Sequence, residues 1–158
     1  VPAGDDAVPG APTPREPGEG PRNRPEGGKS ILIVDDETPF RFSACVALRR
    51  DGYRVVEAAD GRRGLEAVLD SRRRGDAFDL VVTDIRMPEM SGIELIDALR
   101  EHGIDVPVCA ITCFGDRDLV RELAEKGCRE YLEKPFPPGE LVEWIGSILR
   151  RDRGTESR

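Results

Sequence analysis

Two short apolar runs in this chain end in acid. Ser30-Ile-Leu-Ile-Val leads into Asp35, Asp36 and Glu37, and Leu80-Val-Val leads through Thr83 to Asp84. Each run has the length and composition of a buried strand. An Asp at the end of one strand is ordinarily a turn or cap residue. Two such ends side by side have a different chemistry. Three carboxylates in one pocket repel, and each raises the pKa of the others. A hard divalent cation with oxygen ligands removes that repulsion, so the pattern implies a small Mg²⁺ (or Mn²⁺) site beside an Asp.

The two strand ends meet only if the strands are neighbours, so the remaining elements matter. After Glu37, Thr38-Pro39 reads as a cap followed by Pro at the first helical position. That helix carries Ala44, Cys45, Val46 and Leu48 and ends near Gly52. Tyr53 to Ala58 is a second strand, and Asp60 to Leu69 a second helix running into Arg72-Arg73-Arg74. The basic triplet reads as a solvated helix end, favourable near the negative pole of the dipole. The third strand ends at Asp84. Pro88 and Gly92 break the backbone after it, and Ser91 with Glu94 forms a capping box for the third helix. Ile93, Ile96 and Leu99 give that helix an apolar face.

Val106 to Thr112 reads as a fourth strand. Asp116 is expected to cap a fourth helix with Leu119, Val120 and Leu123 inward. The stretch Glu130 to Phe136 holds a short fifth strand ending at Lys134-Pro135. The fifth helix carries Leu141, Trp144, Ile145, Ile148 and Leu149 at core-facing spacing, which makes Trp144 a packing residue. Five strands alternating with five helices make an α/β fold, a parallel doubly wound sheet with helices on both faces. In the flavodoxin-like strand order 2-1-3-4-5, strands one and three flank the switch point where ligands bind. That order brings Asp35, Asp36 and Asp84 together and puts Thr112 and Lys134 on the same edge.

Bulk properties narrow the class. The 158 residues suffice for one domain with a proper core. A net charge of −7 argues against general nucleic-acid binding, so no direct DNA binding is expected. No apolar run approaches membrane-spanning length, so no membrane insertion is expected either. Residues 1–29 are rich in Pro, Gly, Glu and Arg and read as a disordered tail or linker. The domain proper is placed at 30–151, with a charged tail at 152–158. Gly27-Gly28-Lys29-Ser30 lacks the first glycine of a phosphate loop, since Asn23 holds that place. Cys45, Cys109, Cys113 and Cys128 show no metal-ligand spacing and are each expected on a buried face, in a reducing, cytoplasmic compartment. The chain begins Val1-Pro2, without Met, which suggests a processed chain or part of a longer one.

As a set, several pieces resemble the receiver domain of two-component response regulators, of the chemotaxis-Y-like kind. They are Val34-Asp-Asp-Glu37, Asp84 with Met87-Pro88 and Gly92, Ile111-Thr112, and Tyr131-Leu-Glu-Lys-Pro-Phe136. The resemblance covers about residues 30 to 150. It implies phosphoryl transfer onto Asp84 from the phosphohistidine of a sensor histidine kinase or a histidine phosphotransfer protein. It implies that Asp35, Asp36, Asp84 and the backbone carbonyl of Arg86 hold Mg²⁺, and that Thr112 and Lys134 stabilise the phosphoryl group. Thr112 and Tyr131 would switch the face formed by the fourth helix, fifth strand and fifth helix, where an output protein docks. Arg86 and Phe114 fall where the family borders the path of hydrolytic water, so they are candidates for tuning phosphate lifetime. Cys113 departs from the small residue, such as Ala, that usually follows the Thr.

The resemblance makes the chain a phosphorylated switch, standing alone or as the C-terminal receiver of a hybrid sensor kinase. It would be no enzyme beyond assisting its own phosphorylation and dephosphorylation. Two alternatives are disfavoured. An aspartyl-phosphate enzyme of haloacid-dehalogenase type needs a second Asp where Arg86 stands. A flavin-binding flavodoxin-like protein needs a Ser/Thr-rich phosphate loop where Asp35-Asp36-Glu37 would repel phosphate.

Overall fold

The structure, a computed structural model, describes residues 28–113 and 117–155, with side chains to Arg151. The expectations for residues 1–27, for Phe114 and for an Asp116 cap lie outside the described residues.

Five strands alternate with five helices. They are β1 (Ser30–Val34), α1 (Thr38–Arg50), β2 (Arg54–Ala58), α2 (Gly61–Arg73), β3 (Leu80–Asp84), α3 (Gly92–Glu101), β4 (Val108–Cys113), α4 (Arg117–Glu125), β5 (Tyr131–Lys134) and α5 (Pro138–Thr155). The strands form one parallel sheet in the order β2-β1-β3-β4-β5. This is the expected flavodoxin-like order, with β1 and β3 adjacent at the switch point.

The central strands β1 and β3 are buried at every position, as strands covered on both faces must be. Their side chains alternate between two layers. Ile31, Ile33, Leu80, Val82, Cys109 and Ile111 pack with residues of α1 and α5 on one face. Leu32, Val34 and Val81 pack with Val68, Leu95 and Leu99 of α2 and α3 on the other. Ile96, Ala110, Leu123 and Cys128 complete that second face beneath α4. Trp144 packs against the α1–α5 core, as its spacing implied. No helix among the described residues is long and apolar enough to cross a membrane.

Local details depart from the sequence reading. The cap of α1 is Glu37, not Thr38, and its side chain makes no capping bond. The helix therefore begins one residue earlier, with Pro39 still inside the first turn, where its missing N–H costs nothing. Asp60 caps α2, its side chain accepting from the Arg63 amide at 2.8 Å. Helix α2 extends past Leu69 to Arg73, and Arg72 to Arg74 are exposed at its end. Ser91 caps α3 through the Glu94 amide. Helix α5 runs to Thr155, past the point where the charged tail was placed. Cys45, Cys109 and Cys128 are buried, but Cys113 is exposed, because β4 carries it one step beyond the core at the sheet's carboxyl edge.

Candidate functional site

The sheet register fixes the acidic cluster. Val34 pairs with Thr83, so the next residues, Asp35 just past β1 and Asp84 at the end of β3, lie at the same level. Asp35 is fully buried, Asp84 is 6% exposed, and Asp36 faces solvent. One carboxylate oxygen from each lies within 4.8 Å of the others, an arrangement that could hold a metal ion. Hard oxygen donors suit Mg²⁺ or Mn²⁺.

The backbone around these carboxylates is pinned. Asp35 Oδ1 accepts from the Glu37 amide at 2.8 Å, and the Asp35 carbonyl accepts from Arg41 Nη1 at 2.7 Å. Asp84 Oδ1 accepts from the Arg86 amide at 3.3 Å, and Thr83 Oγ1 donates to the Asp84 carbonyl at 2.8 Å. Gly92 leaves room for that carbonyl: a Cβ there would lie 2.5 Å from the oxygen. The Gly92 amide in turn donates to the Ile85 carbonyl at 2.9 Å, closing the loop.

Lys134 enters from the end of β5. Its Nζ lies 3.0 Å from Asp35 Oδ2, 3.4 Å from Asp84 Oδ2 and 3.7 Å from Glu37 Oε2. It also sits 4.2 Å from the centre of the Phe40 ring. Burial pushes the Asp84 carboxyl up to about 6, and the neighbouring Asp35 charge adds to the rise, while Lys134 and the Arg86 amide oppose it. Burial likewise raises Asp35, against the Glu37 amide and Lys134. Lys134 is raised: burial lowers it, but its bond to Asp35 and the surrounding carboxylates outweigh that. One ammonium thus leaves excess negative charge in the pocket, as a cation-binding site requires.

Thr112 sits one residue past Ile111, the register partner of Asp84. It is 2% exposed, and its hydroxyl has no hydrogen-bond partner among the described residues. Such a group costs about 1–3 kcal/mol of lost solvation unless something else satisfies it. Tyr131, on the neighbouring strand, is 38% exposed. Arg86 is exposed at the lip of the β3–α3 loop. The fold therefore gathers Asp35, Asp36, Asp84, Thr112 and Lys134 at one edge, with Tyr131 at the far end of β5.

Comparison with known proteins fits this geometry. The family model for the response regulator receiver domain matches residues 31–146. The chain belongs to the response regulator receiver family. The receiver is 38% identical over 126 residues to the phosphate regulon transcriptional regulatory protein PhoB of Pseudomonas aeruginosa, covering 78% of this chain and 53% of that protein. It is 35% identical over 125 residues to the transcriptional regulatory protein PrrA of Mycobacterium tuberculosis, covering 79% and 52%. The chain thus spans about half the length of the curated relatives it matches. The FixJ-N crystal structure superposes with a TM-score of 0.67 at 32% identity, covering 77% of this chain and 94% of that one. The chemotaxis response regulator CheY4 of Vibrio cholerae gives 0.69 at 29% identity, covering 77% and 98%.

Three neighbours of the receiver's pocket escaped the sequence reading. Arg41 and Phe40 lie on α1, and Thr83 lies one residue before Asp84. Arg41 carried no signal, because an Arg in a helix is ordinarily solvated. Here its side chain crosses to the Asp35 carbonyl and, at 3.3 Å, to Glu57 of β2. Thr83 could have been suspected as a polar residue inside a fully buried strand.

Proposed function

We propose that this receiver accepts a phosphoryl group on Asp84 from the phosphohistidine of a sensor histidine kinase or histidine phosphotransfer protein. The observation that carries the reading is the Asp84 carboxylate, almost wholly buried and 3.4 Å from the Lys134 ammonium. A carboxylate oxygen attacks phosphorus, the P–N bond breaks, and its electron pair leaves with the imidazole. In such transfers the protein's work is positioning and charge neutralisation. Lys134 meets one phosphoryl oxygen with a compact charge, and the Thr112 hydroxyl donates to another. Asp35, Asp36 and Asp84, with the backbone carbonyl of Arg86, would hold Mg²⁺ or Mn²⁺, which supplies further positive charge beside the transferring group.

The phosphoryl group then pulls Thr112 toward it, and Tyr131 turns inward beneath α4. The α4–β5–α5 face carries the change to an output protein. Arg86 and Phe114 tune the lifetime of the acyl phosphate. The chain acts in the cytoplasm as a switch that assists its own phosphorylation and dephosphorylation, either alone or as part of a hybrid kinase.

The test uses acetyl phosphate and Mg²⁺. Wild type gains one acid-stable, base-labile phosphoryl group, and Asp84→Asn gains none. Asp36→Ala binds Mg²⁺ far more weakly. Equal phosphorylation of the Asn variant overturns the assignment.

A further inference from the structure

The structure places an aromatic ring against the Lys134 ammonium in the pocket. Lys134 Nζ sits 4.2 Å from the Phe40 ring centre, well inside the range at which a ring face attracts a cation. The Phe40 ring is itself held. It meets Phe136 edge-on, with centroids 5.6 Å apart and planes at 84°, a favoured geometry for an aromatic pair. Both rings pack against the α1–α5 core. Phe136 lies two residues beyond Lys134, so the chain segment that supplies the lysine also clamps the ring that holds it.

A lysine needs such help. Its four-carbon stem is flexible, and its ammonium is a point charge without the fixed fork of an arginine. Three carboxylates within 4 Å draw it in different directions. A carboxylate partner occupies an N–H donor, whereas a ring face attracts the charge without a directional acceptor. The ammonium has three donors, and the ring leaves them for oxygens. The ring also covers one side of a side chain that is 17% exposed, which strengthens the remaining electrostatic contacts. The next residue, Arg41, grips the Asp35 carbonyl at 2.7 Å. Adjacent residues of α1 therefore contact both the ammonium and the backbone of Asp35, its nearest carboxylate partner.

We propose that Phe40 is a positioning residue, whose ring face holds the Lys134 ammonium where it meets the phosphoryl oxygen. This rests on Asp84 as the phosphoacceptor and adds a residue that acts through Lys134.

The experiment compares the full chain with Phe40→Leu and Phe40→Tyr. In the unliganded proteins, the ε-methylene protons of Lys134 are expected upfield in wild type and Phe40→Tyr. In Phe40→Leu they return toward the value of a free lysine. Unshifted protons in wild type overturn the proposal at its geometric root and leave the Asp84 reading untouched. Beryllofluoride, a phosphoryl mimic, is then titrated with saturating Mg²⁺. Phe40→Leu is expected to bind it about fivefold more weakly, a loss within the range for a partly desolvated cation–ring contact, and Phe40→Tyr to match wild type. Mg²⁺ affinity without the mimic is expected to be no weaker in Phe40→Leu. Equal losses of Mg²⁺ and beryllofluoride affinity, or failure of Tyr to restore binding, mean that Phe40 only packs, and the proposal falls. Wild type that does not bind beryllofluoride at all removes the Asp84 reading, and the proposal with it.

Discussion

The Lys134 ammonium stands 3.0 Å from Oδ2 of Asp35, a residue 99 positions away in sequence, and nearer to it than to Asp84. Asp35 has no exposed surface, so this ion pair closes the pocket from within. Removing one partner of a buried pair strands the other charge. Lys134→Met is therefore expected to lose about 3 kcal/mol of stability in EDTA, the low end of that range because Lys134 keeps some contact with water. Mg²⁺ should return part of the loss, since a bound cation offers Asp35 a replacement charge. Urea unfolding in EDTA and in Mg²⁺ checks both halves. A loss in EDTA below about 1 kcal/mol, as for a surface ion pair, would show that Asp35 does not depend on Lys134.

The Asp84 carboxyl gives a pH dependence whose sign can be worked out. Its folded pKa of about 6 lies above the ordinary 3.8, chiefly through burial. The folded state therefore holds a proton that the unfolded state has released. Stability from this group is present below pH about 4 and is lost as the pH rises through 6. The cost of ionised Asp84 at neutral pH is on the order of 3 kcal/mol without metal. Asp84→Asn removes it. The Asn variant should be more stable than wild type at pH 7 in EDTA, with the advantage shrinking toward pH 4. A gap independent of pH would mean that Asp84 titrates normally.

Arg41 links the loop below the pocket to the edge of the sheet. Its Nη1 donates to the Asp35 carbonyl at 2.7 Å and its Nε to Glu57 at 3.3 Å. A hydrogen bond from a charged donor to a part-buried carbonyl contributes about 1.5–3 kcal/mol. Arg41→Met keeps the apolar stem and should cost about 2 kcal/mol, seen as a lower urea midpoint with an unchanged slope. Arg41→Lys should recover only part, because one ammonium cannot reproduce two contacts of a planar fork. Full recovery by Lys would show that charge alone matters at this position.

How far the sequence foretold this site differs residue by residue. The convergence of Asp35 and Asp84 was legible because each ends an unbroken apolar run. Such runs belong to central parallel strands, and the switch point lies where the order reverses. Thr112 and Lys134 followed from the same rule applied to β4 and β5. The contacts of Phe40 and Arg41 were not legible. They depend on how α1 is rotated against the sheet, and the 3.6-residue period does not specify that when an apolar residue such as Phe42 lies exposed beside buried Ala44 and Cys45. Pro39 reads as a first-turn residue from sequence, but the residue before the helix depends on the extended backbone at Glu37. Cys113 was misplaced because strand length decides where the core stops, and composition says little about that single step.

The last prediction concerns the buried Thr112 hydroxyl, which has no hydrogen-bond partner among the described residues. Thr112→Val replaces it with a methyl group of similar shape. Without a phosphoryl group, no bond to a described residue is lost, and a buried polar atom is removed. The variant should be more stable than wild type by about 1 kcal/mol in EDTA. The same exchange should cost the response. The phosphoryl oxygens on Asp84, or the fluorines of beryllofluoride in their place, are acceptors that a hydroxyl can reach and a methyl group cannot satisfy. Thr112 would then stay in place, and Tyr131, now 38% exposed, would keep its outward position. The coupling at stake is modest, about 1–3 kcal/mol, so the removal of one hydrogen bond can silence it. Amide shifts in α4 and β5 report the change, measured with and without beryllofluoride. Wild type should show shifts at Leu119, Leu123 and Tyr131, and Thr112→Val should show only those next to Asp84. Equal remote shifts in both proteins would mean that the signal leaves the pocket by another route. A Val variant less stable than wild type would mean that the Thr112 hydroxyl is satisfied in the resting state.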